Sequence, residues 1–144
     1  MQEEKLVGRT KHGELTLDQL ASIQPGMARL MAEVGHRYSM MIHACKGGNW
    51  ELGHYALRQL RGIFQVAATT RPKYRTELEA FDREYLGPIE KAIREKNVET
   101  FMGAVERGIA ESDEVHRRLG YAFIRYRLPA RPPDNLDFGP RSES

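Results

Sequence analysis

Cysteine is almost missing from this sequence, since Cys45 is the only one among 144 residues. A single cysteine excludes an internal disulfide framework. It also excludes the Cys-x-x-Cys pairs that bind structural metals or attach haem covalently. Charge of one sign is not in excess either, because 22 basic residues nearly balance 20 acidic ones. The net charge of +2 gives no field that would indicate nucleic acid or an anionic membrane as the partner.

Long apolar runs are also lacking. No stretch approaches the roughly eighteen apolar residues that a membrane span requires. The opening MQEEKLVGRTKHGEL is mostly polar, whereas a secretory signal has a basic segment followed by an apolar run. We therefore expect a cytoplasmic protein with no membrane partner. At 144 residues, the chain is long enough for one domain with one continuous core.

Helix start and stop signals divide most of the chain into one short and four long helices. Thr16 and Gln19 predict a capping box for a short helix over residues 17–23. The four long helices are predicted over residues 25–46, 50–70, 73–96 and 98–119. The first ends at a glycine pair and the second before a proline, and both features stop helices. Gly87-Pro88 predicts a kink inside the third.

Four long helices with short connections favour an all-α fold, an antiparallel up-down-up-down four-helix bundle over residues 16–128. Residues 1–15 are predicted to be a flexible arm. Residues 129–144 are predicted to be a proline-rich tail, reached after another helical turn or two and lying extended over the bundle. Each long helix carries one apolar stripe at spacings of three and four. On the first helix the stripe is Met27, Leu30, Met31, Val34, Tyr38, Met41 and Cys45.

Two Glu-x-x-His pairs, Glu33 with His36 and Glu51 with His54, copy the ligand spacing of di-iron bundles. At ~100° per residue, however, both pairs and His43 fall away from the apolar stripes. We therefore expect these histidines on the solvated surface.

One alternative involves His43 and His54, which flank the first interhelical turn symmetrically. In a helical hairpin they would lie at the same height and could share a surface metal ion or a dimer contact. A metal-dependent enzyme at this pair or at His116 is thus one alternative function. A structural or accessory homodimer without a ligand, formed through the side of the first helix that carries Met40, Ile42 and His43, is another.

His116 differs from the other histidines because it lies on the apolar stripe of the fourth helix. In an antiparallel bundle it is level with Met27 and Met31 of the first helix. Thioether and imidazole are the pair that can bind a haem iron from opposite sides. The alternative is a core histidine that hydrogen-bonds a tyrosine or a backbone carbonyl, with the methionines filling space.

Several segments resemble small cytochrome-c-like four-helix-bundle proteins of the cytochrome c-prime-like type. They are GGNWELGHYALRQL with the RP that follows it, GPIEKAI, and FMGAVERGIAESDEVHRRLGYAFIRYRLP. The resemblance covers roughly residues 25–130. The haem-attaching members of that family carry Cys-x-x-Cys-His in the last helix, where this chain has Ser112, Val115 and His116. Covalent haem attachment is therefore excluded.

The resemblance implies one of two functions. Either the bundle has lost haem and reuses its cavity, or it holds haem or another ligand non-covalently. We therefore predict that the protein binds a small molecule, non-covalent haem or a transition metal where the first and fourth helices meet. If it binds neither haem nor a metal, we expect no cofactor. The predicted cofactor-binding residues are His116, Met27, Met31, Tyr38 and Tyr74. The predicted metal ligand is His116, with His43 and His54 as the alternative pair.

Overall fold

The computed structural model describes residues 7–140, most of which are helical, as the sequence predicts. The helices are α1 (Leu17–Ser22), α2 (Met27–Lys46), α3 (Trp50–Thr70), α4 (Arg75–Phe81), α5 (Gly87–Glu95) and α6 (Val98–Arg118). Between α3 and α4 lies a 3-10 turn, Pro72–Tyr74, and between α4 and α5 a π-helical turn, Asp82–Leu86. No helix in this part of the chain is both long and apolar enough to cross a membrane.

The all-α prediction needs one correction, because a two-stranded antiparallel hairpin precedes α1. Strand β1 (Val7–Thr10) pairs with β2 (Gly13–Thr16). The structure thus differs from the predicted flexible arm over residues 7–15, and the rest of that arm lies outside the described residues. Strands of four residues are too short for a clear alternating pattern. The two-residue loop depends on Gly13, whose φ of +139° is a conformation that other residues rarely adopt.

Side-chain caps start three helices where the sequence predicts them. Thr16 accepts a hydrogen bond from the Gln19 amide, and the Gln19 side chain accepts one from the Thr16 amide. Asn49 caps α3 through the Leu52 amide at 3.1 Å. Asn97 caps α6 in the same way. These bonds satisfy amides that have no partner within the helix.

The helices pack around one core. Helix α2 lies along α3 and also contacts α6, while α5 packs against both α3 and α6. Helices α2 and α3 approach each other closely at Gly53, where a Cβ atom would collide with the Cys45 sulfur. The largest fully buried side chains are Phe101, Met41, Ile42, Leu57, Leu60, Leu86, Ile89, Val105 and Cys45.

The third predicted helix, over residues 73–96, is helical without a break from Arg75 to Glu95, but it contains a π-helical turn. Helix α4 ends at Phe81, and in the π turn the Gly87 amide donates to the Asp82 carbonyl. Pro88 has no amide hydrogen and cannot complete the regular ladder in the preceding turn. The irregularity predicted at Gly87-Pro88 therefore lies in the turn that precedes this pair.

After α6 the chain turns back instead of adding the one or two helical turns that the sequence predicts. Gly120, at φ +90°, ends the helix, and residues 119–140 form a non-helical return segment that reaches α2. Asn49 donates to the Asp137 carbonyl at 3.0 Å, and Phe138 is buried. The last four residues of the predicted tail lie outside the described part.

The proposed dimer face on α2 is also corrected. Met40 and Ile42 are 3% and 0% exposed within the single chain. His43 is half-buried, and its Nε2 lies 3.0 Å from the Pro129 carbonyl oxygen of the return segment. A helical wheel assumes one buried face, whereas this part of α2 is buried on several sides. Met40 and Ile42 are therefore not available for a contact with a second copy, and a homodimer stays a prediction.

Candidate ligand cavity

A cavity of about 620 Å³ lies between α2, α3, α4, α6 and the return segment. Its volume is within the usual range of small-molecule sites. The structure brings all five predicted cofactor-binding residues to its wall: His116, Met27, Met31, Tyr38 and Tyr74. Apolar side chains such as Leu60, Phe64, Leu78 and Ile109 supply much of the remaining lining.

His116 is the predicted polar contact, and one of its ring nitrogens lacks a partner. The side chain is half-buried on α6 and lines the cavity together with Ser112 and Leu119, which lie four residues before it and three after it. Its Nδ1 is buried and has no hydrogen-bond partner among residues 7–140. The tyrosine or carbonyl partner considered from the sequence is thus not found for this nitrogen. A buried polar atom without a partner is unfavourable, by about 1–3 kcal/mol in protein mutational data.

Glu77 is a second polar residue of the cavity, and it was not predicted. Its Oε2 is buried without a hydrogen-bond partner in the described chain. The sequence did contain a signal for it. Glu77 follows Tyr74 by three residues and precedes Phe81 by four, and both of those belong to the apolar stripe of the third predicted helix. Helical spacing alone therefore directs this carboxylate inward.

Tyr38 closes one wall, but its hydroxyl already has a partner. The hydroxyl donates to the Val105 carbonyl at 2.9 Å. Burial, followed by the nearby Tyr126, raises the pKa of Tyr38 well above its usual value. The tyrosine therefore stays neutral, and it offers the cavity mainly its ring.

The return segment covers the cavity, which the sequence did not predict. Tyr121, Ile124, Arg125 and Tyr126 all line it. The Tyr126 ring meets the Tyr38 ring edge-on at a centroid distance of 5.4 Å. Burial raises the pKa of Tyr126, although its hydrogen bond with Ser39 opposes this effect. Tyr126 is thus held in place by interactions with Tyr38 and Ser39 of α2.

The predicted surface pair does not share one environment. His43 faces the Pro129 carbonyl, whereas burial and then Arg58, Arg94 and Arg61 lower the pKa of His54. His54 is therefore biased toward its neutral form by neighbours that His43 does not have. Within residues 7–140, no group of three or more His, Cys, Asp and Glu side chains is placed to hold a metal ion. A metal at His43 and His54 stays a prediction.

A second, more open cleft of about 470 Å³ lies on the other side of Tyr126. His36, His43, Arg127 and Arg131 line it, and its wall contains no carboxylate. Gly35 and Tyr126 belong to both cavities. His36 is exposed, as predicted from the helical wheel, but it contributes to this cleft rather than standing alone.

The residues of the larger cavity fit haem only in part. The imidazole of His116, the thioethers of Met27 and Met31 and the apolar walls suit a haem group. A histidine that binds a metal, however, usually donates its other ring N–H to a protein acceptor. His116 Nδ1 has no such acceptor, and the Glu77 carboxylate in the lining would have a charge of the same sign as the carboxylates of haem.

Comparisons of the chain with protein-family models, curated proteins and solved structures gave no match. The resemblance to cytochrome c-prime-like proteins therefore stays a prediction.

Proposed function

We propose that this protein binds a small, largely apolar molecule in the 620 Å³ cavity and contacts it through His116. The observation that carries the proposal is the buried, unpartnered Nδ1 of His116 in a cavity with mainly aliphatic and aromatic walls. A ligand that supplies a polar partner there would remove an unfavourable buried group and fill apolar space in one step.

We further propose that the helices form an antiparallel up-down-up-down four-helix bundle. Its members would be α2, α3, the α4–α5 unit and α6. In support, α2 packs on α3, α5 packs on α6, and α2 contacts α6, which is the arrangement expected when four consecutive helices close around one core. Cofactors and ligands of such bundles lie between facing helices, where this cavity lies.

Non-covalent haem is the specific ligand that the resemblance implies, and it is the first to test. Haemin is titrated into the purified protein while the visible spectrum is recorded. A shifted Soret band in the wild type that is lost in His116→Ala, but kept in the matched variant His54→Ala, would support haem. An unchanged Soret band, or the same shift in His116→Ala, would exclude haem as a ligand held by His116.

The general proposal is tested with a neutral apolar probe, N-phenylnaphthylamine, whose fluorescence rises in apolar surroundings. We expect saturable binding to the wild type and to His54→Ala. Ser112→Trp, which places a large side chain in the cavity, should weaken binding by about tenfold or more. Absent binding, or equal binding by the wild type and Ser112→Trp, would contradict a ligand site here. Thermal unfolding of each variant checks that it is folded.

A further inference from the structure

Glu77 on α4 and His116 on α6 line the same apolar cavity, and each has a buried polar atom without a partner in the described chain. These atoms are Glu77 Oε2 and His116 Nδ1. Each atom is buried, and neither has a hydrogen-bond partner among residues 7–140. Arg37 Nε and Gln59 Oε1 are also buried without a partner in this range, but neither residue lines the cavity. Two polar residues in one apolar lining suit an occupant that has polar groups as well as apolar surface.

The two atoms make different demands on a ligand. An ionised carboxylate can only accept hydrogen bonds, whereas a neutral imidazole nitrogen can accept or donate according to its tautomer. The group opposite Glu77 must therefore be a donor. An ammonium group also has a charge opposite to that of a carboxylate, and the attraction between them is stronger in a protein interior than in water. An ammonium group would consequently satisfy Glu77 better than a hydroxyl group would.

The surroundings of Glu77 also suit a cation. The rings of Phe81 and Tyr121 line the same cavity, and an aromatic face attracts a cation within about 6 Å of its centre. Tyr74 also lines the cavity, but Lys73 Nζ already lies 4.9 Å from the centre of its ring. No ion pair joins Glu77 to a basic side chain within the described residues. Arg125 is the other charged residue of the lining, but it is exposed on the return segment.

We propose that the cavity selects an amine with an apolar or aromatic body, and that Glu77 binds its ammonium group. This inference rests on the proposed function of the cavity and narrows its ligand class. His116 accepts or donates a hydrogen bond at a second polar group or at the far side of the molecule. A ligand whose only ionised groups are carboxylates, haem among them, is disfavoured because it leaves Glu77 without a donor.

The test uses three probes that share the naphthalene ring and differ in one group: naphthylmethylamine, naphthylmethanol and naphthoic acid. Their dissociation constants are measured at neutral pH by displacement of N-phenylnaphthylamine. We expect the wild type to bind the amine at least about tenfold more tightly than the alcohol or the acid. Glu77→Gln should abolish this preference and leave the affinity for the alcohol nearly unchanged. Glu79→Gln, an exposed residue of the same helix outside the cavity lining, should keep the preference.

Several results would overturn the proposal while leaving ligand binding intact. They are equal affinity for the amine and the alcohol in the wild type, and a preference for the amine that survives in Glu77→Gln. Tightest binding of the acid would mean that Arg125 selects the ligand. If Glu77→Gln does not fold, Glu77→Leu, which suits an apolar wall, repeats the comparison. Failure of the wild type to bind N-phenylnaphthylamine at all would instead refute the proposed function.

Discussion

The hydroxyl groups of Ser39 and Tyr126 lie 2.6 Å apart, although 87 residues separate them along the chain. They share a hydrogen bond that joins the return segment to α2. The Tyr126 amide also donates to Asp113 Oδ1 of α6 at 3.1 Å. A single residue of the return segment is thus bound to the two helices that carry Met27, Met31 and His116.

Tyr126→Phe should loosen the return segment without removing its apolar ring. We expect the free energy of unfolding to fall by about 0.5–1.5 kcal/mol, because the Ser39 hydroxyl loses a hydrogen bond in a partly buried site. Urea unfolding measures the change. Tyr121→Phe is the matched control, since the Tyr121 side chain is exposed, and it should change stability by less than about 0.5 kcal/mol. Equal effects of the two substitutions would contradict the role given to the Ser39–Tyr126 hydrogen bond.

Gly108→Ala should destabilise the protein even though alanine favours helices. A Cβ atom at residue 108 would lie 2.8 Å from the Tyr38 hydroxyl oxygen, and that hydroxyl is held by the Val105 carbonyl. Overpacking of this kind costs about 1–3 kcal/mol. The control is Gly62→Ala in the middle of α3, where no atom lies within 4 Å of the new Cβ. It should stabilise the protein by about 0.5–1 kcal/mol. A higher unfolding temperature for both variants would contradict this prediction, because it would mean that the Tyr38 hydroxyl moves away from the new Cβ atom at no cost in stability.

Arg61→Met should weaken the attachment of the π turn and α5 to α3. Arg61 Nε lies 2.7 Å from Asp82 Oδ1, and the same side chain pairs with Glu90. We expect the free energy of unfolding to fall by about 1–3 kcal/mol, since these hydrogen bonds join charged groups in a partly buried site. Arg83→Met removes the exposed pair with Glu84 and should cost less than about 0.5 kcal/mol. Equal urea midpoints for the two variants would contradict this difference.

Stability should decline in alkaline solution because of the buried thiol of Cys45. Burial raises its pKa from the usual 9.0 to about 12. Between these values the folded state binds more protons than the unfolded state, so the free energy of unfolding falls as pH rises. The slope for one such group approaches about 1.4 kcal/mol per pH unit.

Unfolding in urea at several pH values measures this slope, and Cys45→Ala should reduce it. Tyr38, whose pKa burial also raises, contributes in the same direction only above its own usual value of 10.0. Iodoacetamide provides an independent check. It should alkylate Cys45 only when urea unfolds the protein. Rapid alkylation of the native protein would contradict the burial of the Cys45 thiol in the folded state.

Local features of the fold were predictable from the sequence because they depend on neighbouring residues. Asn49 and Asn97 start helices through bonds to amides three residues later. The placement of His116 beside Met27 and Met31 followed from helical spacing and from the expected antiparallel order of the long helices. The helix starts and the position of His116 follow from local spacing and from the regular rise and rotation of an α-helix.

The features of the fold and the cavity that the sequence did not predict depend mostly on contacts between segments that are distant in the chain. Nothing near Tyr126 in the sequence indicates that it meets Ser39. Burial of Met40 and Ile42 likewise comes from packing that a helical wheel does not contain. Glu77 was missed for a different reason, because charged residues were left out of the apolar stripes. Spacing analysis that includes every residue type would have found it.

The return segment also has a consequence for the order of folding. Contacts between α2 and α3 join residues that are close in the chain, and loops of that length close readily. The bonds from Ser39 to Tyr126 and from Asn49 to Asp137 instead span 87 and 88 residues. Closing loops of this length costs more entropy, so we expect these bonds to form after the contacts between α2 and α3. A ligand that requires Tyr126 in its wall then binds only after the return segment has packed on α2.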